Sequence, residues 1–226
     1  LEAAVAVIAD DVTPQSAELA WSAADVADGI ALLLEQNLLT RQEWPHAAPR
    51  FGMLETIHEY AREQLAATGE EIPLRERHLR WISGLAERVH AAICGFEQDP
   101  WLRQLDAEWE NARAALSWAI ERENALGALR TGAALTDFWY LRGMLTEGAE
   151  FLEQVLALTP EMPAGHELVR ARVRALSSAS QIAQPRGDLA GAGAFAEESL
   201  ALAREIGDRQ GEAQALALLG NHALVQ

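Results

Sequence analysis

The sequence contains no lysine; all 18 of its basic residues are arginines. A phosphate-gripping P-loop and Schiff-base chemistry both need a lysine amine, so neither is available to this chain. Cations of any kind are scarce, 18 against 34 acidic residues, which leaves a formal net charge of −16. Affinity for nucleic acid rests largely on cations that neutralise phosphates, so direct nucleic-acid binding is not expected. There is a single cysteine, Cys94. It cannot close an intrachain disulfide, and its place in an apolar helical pattern reads as a buried structural thiol in a reducing, cytoplasmic setting. No run approaches the roughly 18 uncharged apolar residues of a membrane span. The start, Leu1-Glu2-Ala3-Ala4, lacks the charged region of a signal peptide, so no membrane partner is expected.

Catalytic signatures are missing as well. His58-Glu59 begins like a zinc-protease helix. That motif needs a second histidine where Arg62 stands, because only the i, i+4 spacing puts both imidazoles on one face. His78 lies on an apolar stripe and reads as a packed histidine. Ser83 and Ser177-Ser178 lack the Gly-x-Ser-x-Gly elbow of a hydrolase. The carboxylate pairs Glu70-Glu71, Glu150 with Glu153, and Glu197-Glu198 read as solvated faces of an acidic helical chain. Arg75, Arg77, Arg80 and Arg88 are interrupted by Glu76 and Glu87, which suits surface ion pairs better than phosphate contacts. The expectation is a non-enzyme with no cofactor and no metal site in this chain.

Alanine and leucine dominate what is present. Half the residues are hydrophobic while only 6% are aromatic, a balance that favours helices over sheets. Residues 1–37 read as two or three helices, the last around Ala24 to Asn37 with Val26, Ile30, Leu33 and Leu34 at helical spacing. Leu38 to Arg41 and Arg50 to Met53 are β-permissive runs separated by Trp44-Pro45 and Pro49, and predict a small hairpin. Helical periodicity resumes from Glu55 to a glycine stop at Gly69, then over a long segment from Pro73 to Gly95. Beyond Pro100, helices are predicted near 106–122, 124–142, 145–158, 166–184, 189–206 and 210–225. The chain begins and ends inside helical patterns, which is expected of a piece of something longer.

RGMLTEGAEFLEQVLAL from Arg142 and RGDLAGAGAFAEESLAL from Arg186 match at an offset of 44, and a spacing of 40 carries Ala175-Leu176 onto Ala215-Leu216. Helix-pair units of this length cannot bury their apolar faces alone, so they stack into one continuous core. The fold expected is mainly α: a winged-helix-like segment with a short β-hairpin over 1–70, then a helical linker and a tetratricopeptide-like α-α superhelix over 71–226.

Three motifs carry a family resemblance. The run Arg50-Phe51-Gly52-Met53-Leu54-Glu55-Thr56-Ile57-His58-Glu59-Tyr60-Ala61 is the first. The second is Trp101-Leu102, Leu105, Glu108, Asn111, Arg113-Ala114-Ala115-Leu116 and Trp118; the third is Phe138-Trp139, Arg142-Gly143 and Glu147-Gly148. Together they resemble the winged-helix and repeat-opening elements of bacterial signal-transduction ATPases with NB-ARC-like (STAND) modules, found in LuxR-type and SARP-type transcriptional regulators. The resemblance implies a nucleotide-binding domain upstream in the same parent chain, repeats that continue downstream, and a sensor or autoinhibitory role for this part.

In tetratricopeptide arrays the first helix of each pair lines the concave side. That register places Arg130, Asp137, Tyr140, Arg174, Gln181, Gln184, Gln214 and Asn221 there. Polar side chains on such a face suit a protein, peptide or small-molecule effector; a merely solvated groove is the alternative. A winged helix also invites a DNA reading. Over residues 38–62, however, Arg41, Arg50 and Arg62 are balanced by Glu43, Glu55 and Glu59, which supplies no electrostatic anchor. The function expected is effector sensing that restrains the upstream domain, with a non-signalling scaffold of helical repeats as the rival.

Overall fold

The computed structural model describes residues 2–9, 21–42, 49–93, 98–159 and 165–225. Cys94, Gly95 and the Trp44-Pro45 hairpin tip lie outside them. The chain is mainly α-helical with one short β-hairpin, and it divides into two compact units, Leu1–Trp81 and Ile82–Gln226. Among the described residues no helix is long and apolar enough to cross a membrane.

The first unit holds helices α1 (Glu2–Ile8), α2 (Ala23–Glu35) and α3 (Glu55–Thr68), the hairpin strands β1 (Thr40–Gln42) and β2 (Arg50–Gly52), and the start of α4 (Glu71–Ile93). A capping box starts α2: Ser22 Oγ accepts from the Asp25 amide (3.2 Å) while Asp25 Oδ2 accepts from the Ser22 amide (2.8 Å). Two of the four orphan amides of the helix end are thereby satisfied. The strands pair antiparallel in the register Thr40↔Gly52, Arg41↔Phe51, Gln42↔Arg50. Gly69, at φ 76°, closes α3. A break separates α3 from α4 at Gly69-Glu70, and the division into compact units falls inside α4, between Trp81 and Ile82.

The second unit contains the rest of α4, then α5 (Gln98–Glu121), α6 (Ala125–Ala134), α7 (Thr136–Leu141), α8 (Leu145–Ala157), α9 (His166–Ala183), α10 (Leu189–Ile206) and α11 (Arg209–Val225). Helix α5 starts earlier than the sequence pattern suggests and takes Pro100 into its first turn, where no intrahelical amide is needed. The single helix expected over 124–142 is interrupted at Leu135, which stays close to helical geometry (φ −81°, ψ −7°). Packing is sequential: α6 meets α8 and α9, and α9 meets α10 and α11.

One turn recurs. Gly143, Gly187 and Gly207, at φ of 70°, 83° and 68°, each follow a helix end. Their amides donate three residues back, to Tyr140, Gln184 and Arg204, and the next amides donate five back, to Trp139, Ala183 and Ala203. This is the Schellman arrangement, and its left-handed residue favours glycine. Glu123 makes the same turn at φ 53° without a glycine. Asn124, Asp188 and Asp208 then cap the following helices, accepting from the amides of Gly127, Gly191 and Gly211.

Between the helices the contacts are close. Gly148 lies so near Trp139 that a Cβ there would stand 2.9 Å from the indole Cδ2. Trp139 in turn stacks on Phe151 and meets Trp109 edge-on. Ser180 Oγ donates to Ala192 O (2.8 Å) and Ser199 Oγ to Val173 O (3.0 Å), tying α9 to α10. Arg172 is only 8% exposed. Its guanidinium donates to the Leu156 and Thr159 carbonyls and to Glu198 Oε1 (2.7 Å from Nη2). It thereby satisfies the Thr159 carbonyl just past the end of α8 and adds a donor to the Leu156 carbonyl, which also accepts from the Thr159 amide.

Candidate functional site

The polar face expected from the repeat register is partly assembled. Arg170, Arg174 and Ser178 recur at four-residue spacing and so share one stripe of α9. Gln210 and Gln214 do the same on α11. Both stripes line a cavity of about 620 Å³, with Ala133 of α6 as an apolar contact. A second cavity, of about 300 Å³, shares Arg170 and Arg174 and is bordered by Arg130, His166 and Glu167.

Of the eight residues expected on this face, Arg174 and Gln214 line the larger cavity, and Arg130 and Arg174 the smaller. Arg130 Nη2 is paired with Glu167 Oε1 at 2.5 Å. Asp137 and Gln181 meet directly, Gln181 Nε2 donating to Asp137 Oδ1 at 3.2 Å. Tyr140 and Asn221 are exposed and Gln184 is half-buried at the end of α9; none of the three lines either cavity.

The register missed His90, Arg170 and Arg209. His90 belongs to α4, before the repeats, so no repeat offset points to it. Arg170 was legible as the residue one turn before Arg174, and Arg209 as the residue that opens α11 after the Gly207-Asp208 turn.

His90 Nδ1 lies 2.6 Å from Asp137 Oδ2. An ionised carboxylate only accepts, so the imidazole carries its proton on Nδ1. The contact with His90 holds the Asp137 carboxyl below its ordinary range, against the opposing effect of burial and with help from Gln181. Ser178 lines the same cavity as His90, but its hydroxyl donates to the Ala133 carbonyl at 3.5 Å, and no hydrogen bond joins it to the imidazole. Asp137 thus holds the His90 imidazole at the cavity wall, and Gln181 holds Asp137 in turn. Among the described residues no cluster of His, Cys, Asp and Glu is arranged to hold a metal ion.

The larger cavity is electrostatically unlike the rest of the chain. Arg170, Arg174 and Arg209 face a single carboxylate, Asp208. Asp208 Oδ2 lies 3.7 Å from Arg170 Nε, while its Oδ1 accepts from the Gly211 amide.

No family model matches the chain. Curated proteins of two Mycobacterium tuberculosis strains and of Mycobacterium bovis, provisionally named HTH-type transcriptional regulators, are 29% identical to it over 205 residues. The match covers 86% of this chain but 22% of each relative. The chain therefore spans about a fifth of the length of the curated relatives it matches.

Proposed function

We propose that the chain is a non-catalytic sensor segment of a bacterial, cytoplasmic, ATP-dependent transcriptional regulator of the NB-ARC/STAND kind. Its tetratricopeptide-like helices bind an effector or protein partner, and this segment restrains an upstream nucleotide-binding domain of the same parent chain. It binds no nucleic acid or membrane directly and carries no cofactor of its own. The observation that carries the reading is the alignment over most of this chain with regulators several times its length. A segment of a regulator that has no lysine and a net charge of −16 is better suited to sensing than to gripping DNA.

The polar face of α6, α9 and α11 supports the same reading, because ligand sites combine a concavity with a few convergent polar groups. A repeat scaffold that only assembles a complex is the competing function, and the stacked helices favour neither. The test is made in a parent regulator containing this segment, by measuring ATP turnover and reporter transcription with Arg174→Ala/Gln181→Ala. Altered basal turnover or a lost response to inducing conditions is expected. Unchanged turnover and transcription, with partner binding intact, would instead establish the scaffold.

A further inference from the structure

Taking the sensor reading as its frame, we infer that the cavity between α9 and the start of α11 binds a small hydroxylated phosphate ester, of the sugar-phosphate class. Arg170 and Arg174 stand at i, i+4 on α9, a like-charge spacing that destabilises a helix unless something offsets it. Asp208 partly offsets Arg170. Arg174 is half-buried and Arg209 is exposed, and neither makes an ion pair with a described residue. Elsewhere half-buried Arg75 and Arg113 are paired with Glu71 and Glu147, and exposed Arg142 is paired with Asp106. A chain with nearly twice as many acids as bases has ample means to neutralise a guanidinium, yet these two line a cavity without such a partner among the described residues.

The remaining lining chooses among anions. A volume of about 620 Å³ exceeds what a bare phosphate fills and falls within the range of small-molecule sites. Ser178, Gln210 and Gln214 supply hydroxyl and amide groups suited to sugar hydroxyls. Among the described residues no Phe, Tyr or Trp lines the cavity, and its one ring, the His90 imidazole, is held by Asp137, so a nucleobase would find no large aromatic face to stack on. Guanidinium groups match phosphate oxygens bidentately, which makes the arginines the affinity-determining part and the amides the selective part.

The test is calorimetric titration of the 226-residue chain with ribose 5-phosphate, adenosine monophosphate and unphosphorylated ribose at matched ionic strength. Saturable binding of ribose 5-phosphate at least as tight as that of adenosine monophosphate, and none of ribose, is expected. Arg174→Gln should weaken it about tenfold or more, and so should Arg209→Gln, an exposed substitution that leaves the fold intact. Arg186→Gln, in the turn after α9, should leave it unchanged. Absence of saturable binding by either phosphate, tighter binding of the nucleotide, or equal weakening by all three substitutions would overturn the inference. Phosphate-ester binding by this chain, combined with no effect of that ligand on a parent regulator's ATP turnover, would uphold the site and defeat the sensor reading instead.

Discussion

The two units distribute their hydrophobic residues in opposite ways. Among the described residues before Ile82, only Val26 and Leu79 are buried, while Trp21, Leu54 and Tyr60 are 54%, 64% and 60% exposed. From Ile82 onward the buried set runs through every helix to Ala215 and includes Trp139, Phe138, Leu116 and Leu152. Both units are built from amphipathic helices. The second differs in that each helix from α6 onward meets at least two others, α9 meeting α6, α8, α10 and α11. Helix formation alone stabilises little; tertiary burial of the apolar face does most of the work. The stacked region should therefore register each side-chain loss as a loss of stability, and the hairpin region should not.

Arg172→Ala should give the largest effect. It removes the guanidinium of a residue that is 8% exposed and leaves the Thr159 carbonyl and the Glu198 carboxylate without that donor. An unmet buried acceptor together with lost charged hydrogen bonds costs about 3 kcal/mol, or roughly 10 °C in the melting of a unit of this size. Scanning calorimetry checks this. A shift under about 3 °C would mean that the stack tolerates disruption as well as the hairpin region does, and the contrast would fail.

Gly148→Ala comes next. The added methyl would stand 2.9 Å from the Trp139 ring, and Trp139 is fully buried between Trp109 and Phe151, so it has little room to retreat. Overpacking of this kind costs about 2 kcal/mol. Pairing it with Trp139→Phe, which frees space, should recover part of the loss in a double-mutant cycle. No recovery would show that the indole is not what the methyl meets.

These two residues mark the limit of what the sequence made legible. The 44-residue offset located α8 and α10, since Leu145 and Leu189 open them at that spacing, and the glycine turns announced themselves through the left-handed backbone they require. Glu123 adopts the same turn with no glycine to signal it, held by amides that reach Ile120 and Ala119. The break at Leu135 has neither glycine nor proline, and Pro100 hid the true start of α5. Arg172 reads as a surface charge in any composition argument; only the end of α8 brought against it gives it a buried task. The candidate site was half legible for the same reason. Arg174 and Gln214 follow from the repeat register, whereas His90 enters from a helix that no repeat rule describes.

The His90–Asp137 contact predicts a pH signature confined to the second unit. Asp137 has a folded pKa below its unfolded value near 4. Its contribution is therefore fully present above about pH 4 and is lost as pH falls through the lower folded value. Melting temperature followed from pH 6 to pH 2 should decline less steeply at the acid end in Asp137→Asn than in the parent. Parallel curves would remove the pair from the stability of the stack.

The smallest effect is expected of Tyr60→Ala in α3, and its sign is informative. Tyr60 is 60% exposed, so truncation opens no cavity and forfeits little burial. Alanine is also the better helix former by about half a kcal/mol. The two contributions nearly cancel, and the melting temperature should stay within about 2 °C of the parent. A loss as large as that of Gly148→Ala would mean that Tyr60 contributes burial comparable to that of a stacked-region residue. The hairpin unit would then no longer be the loosely packed one, and the distinction between the two regions would have to rest on helix connectivity alone.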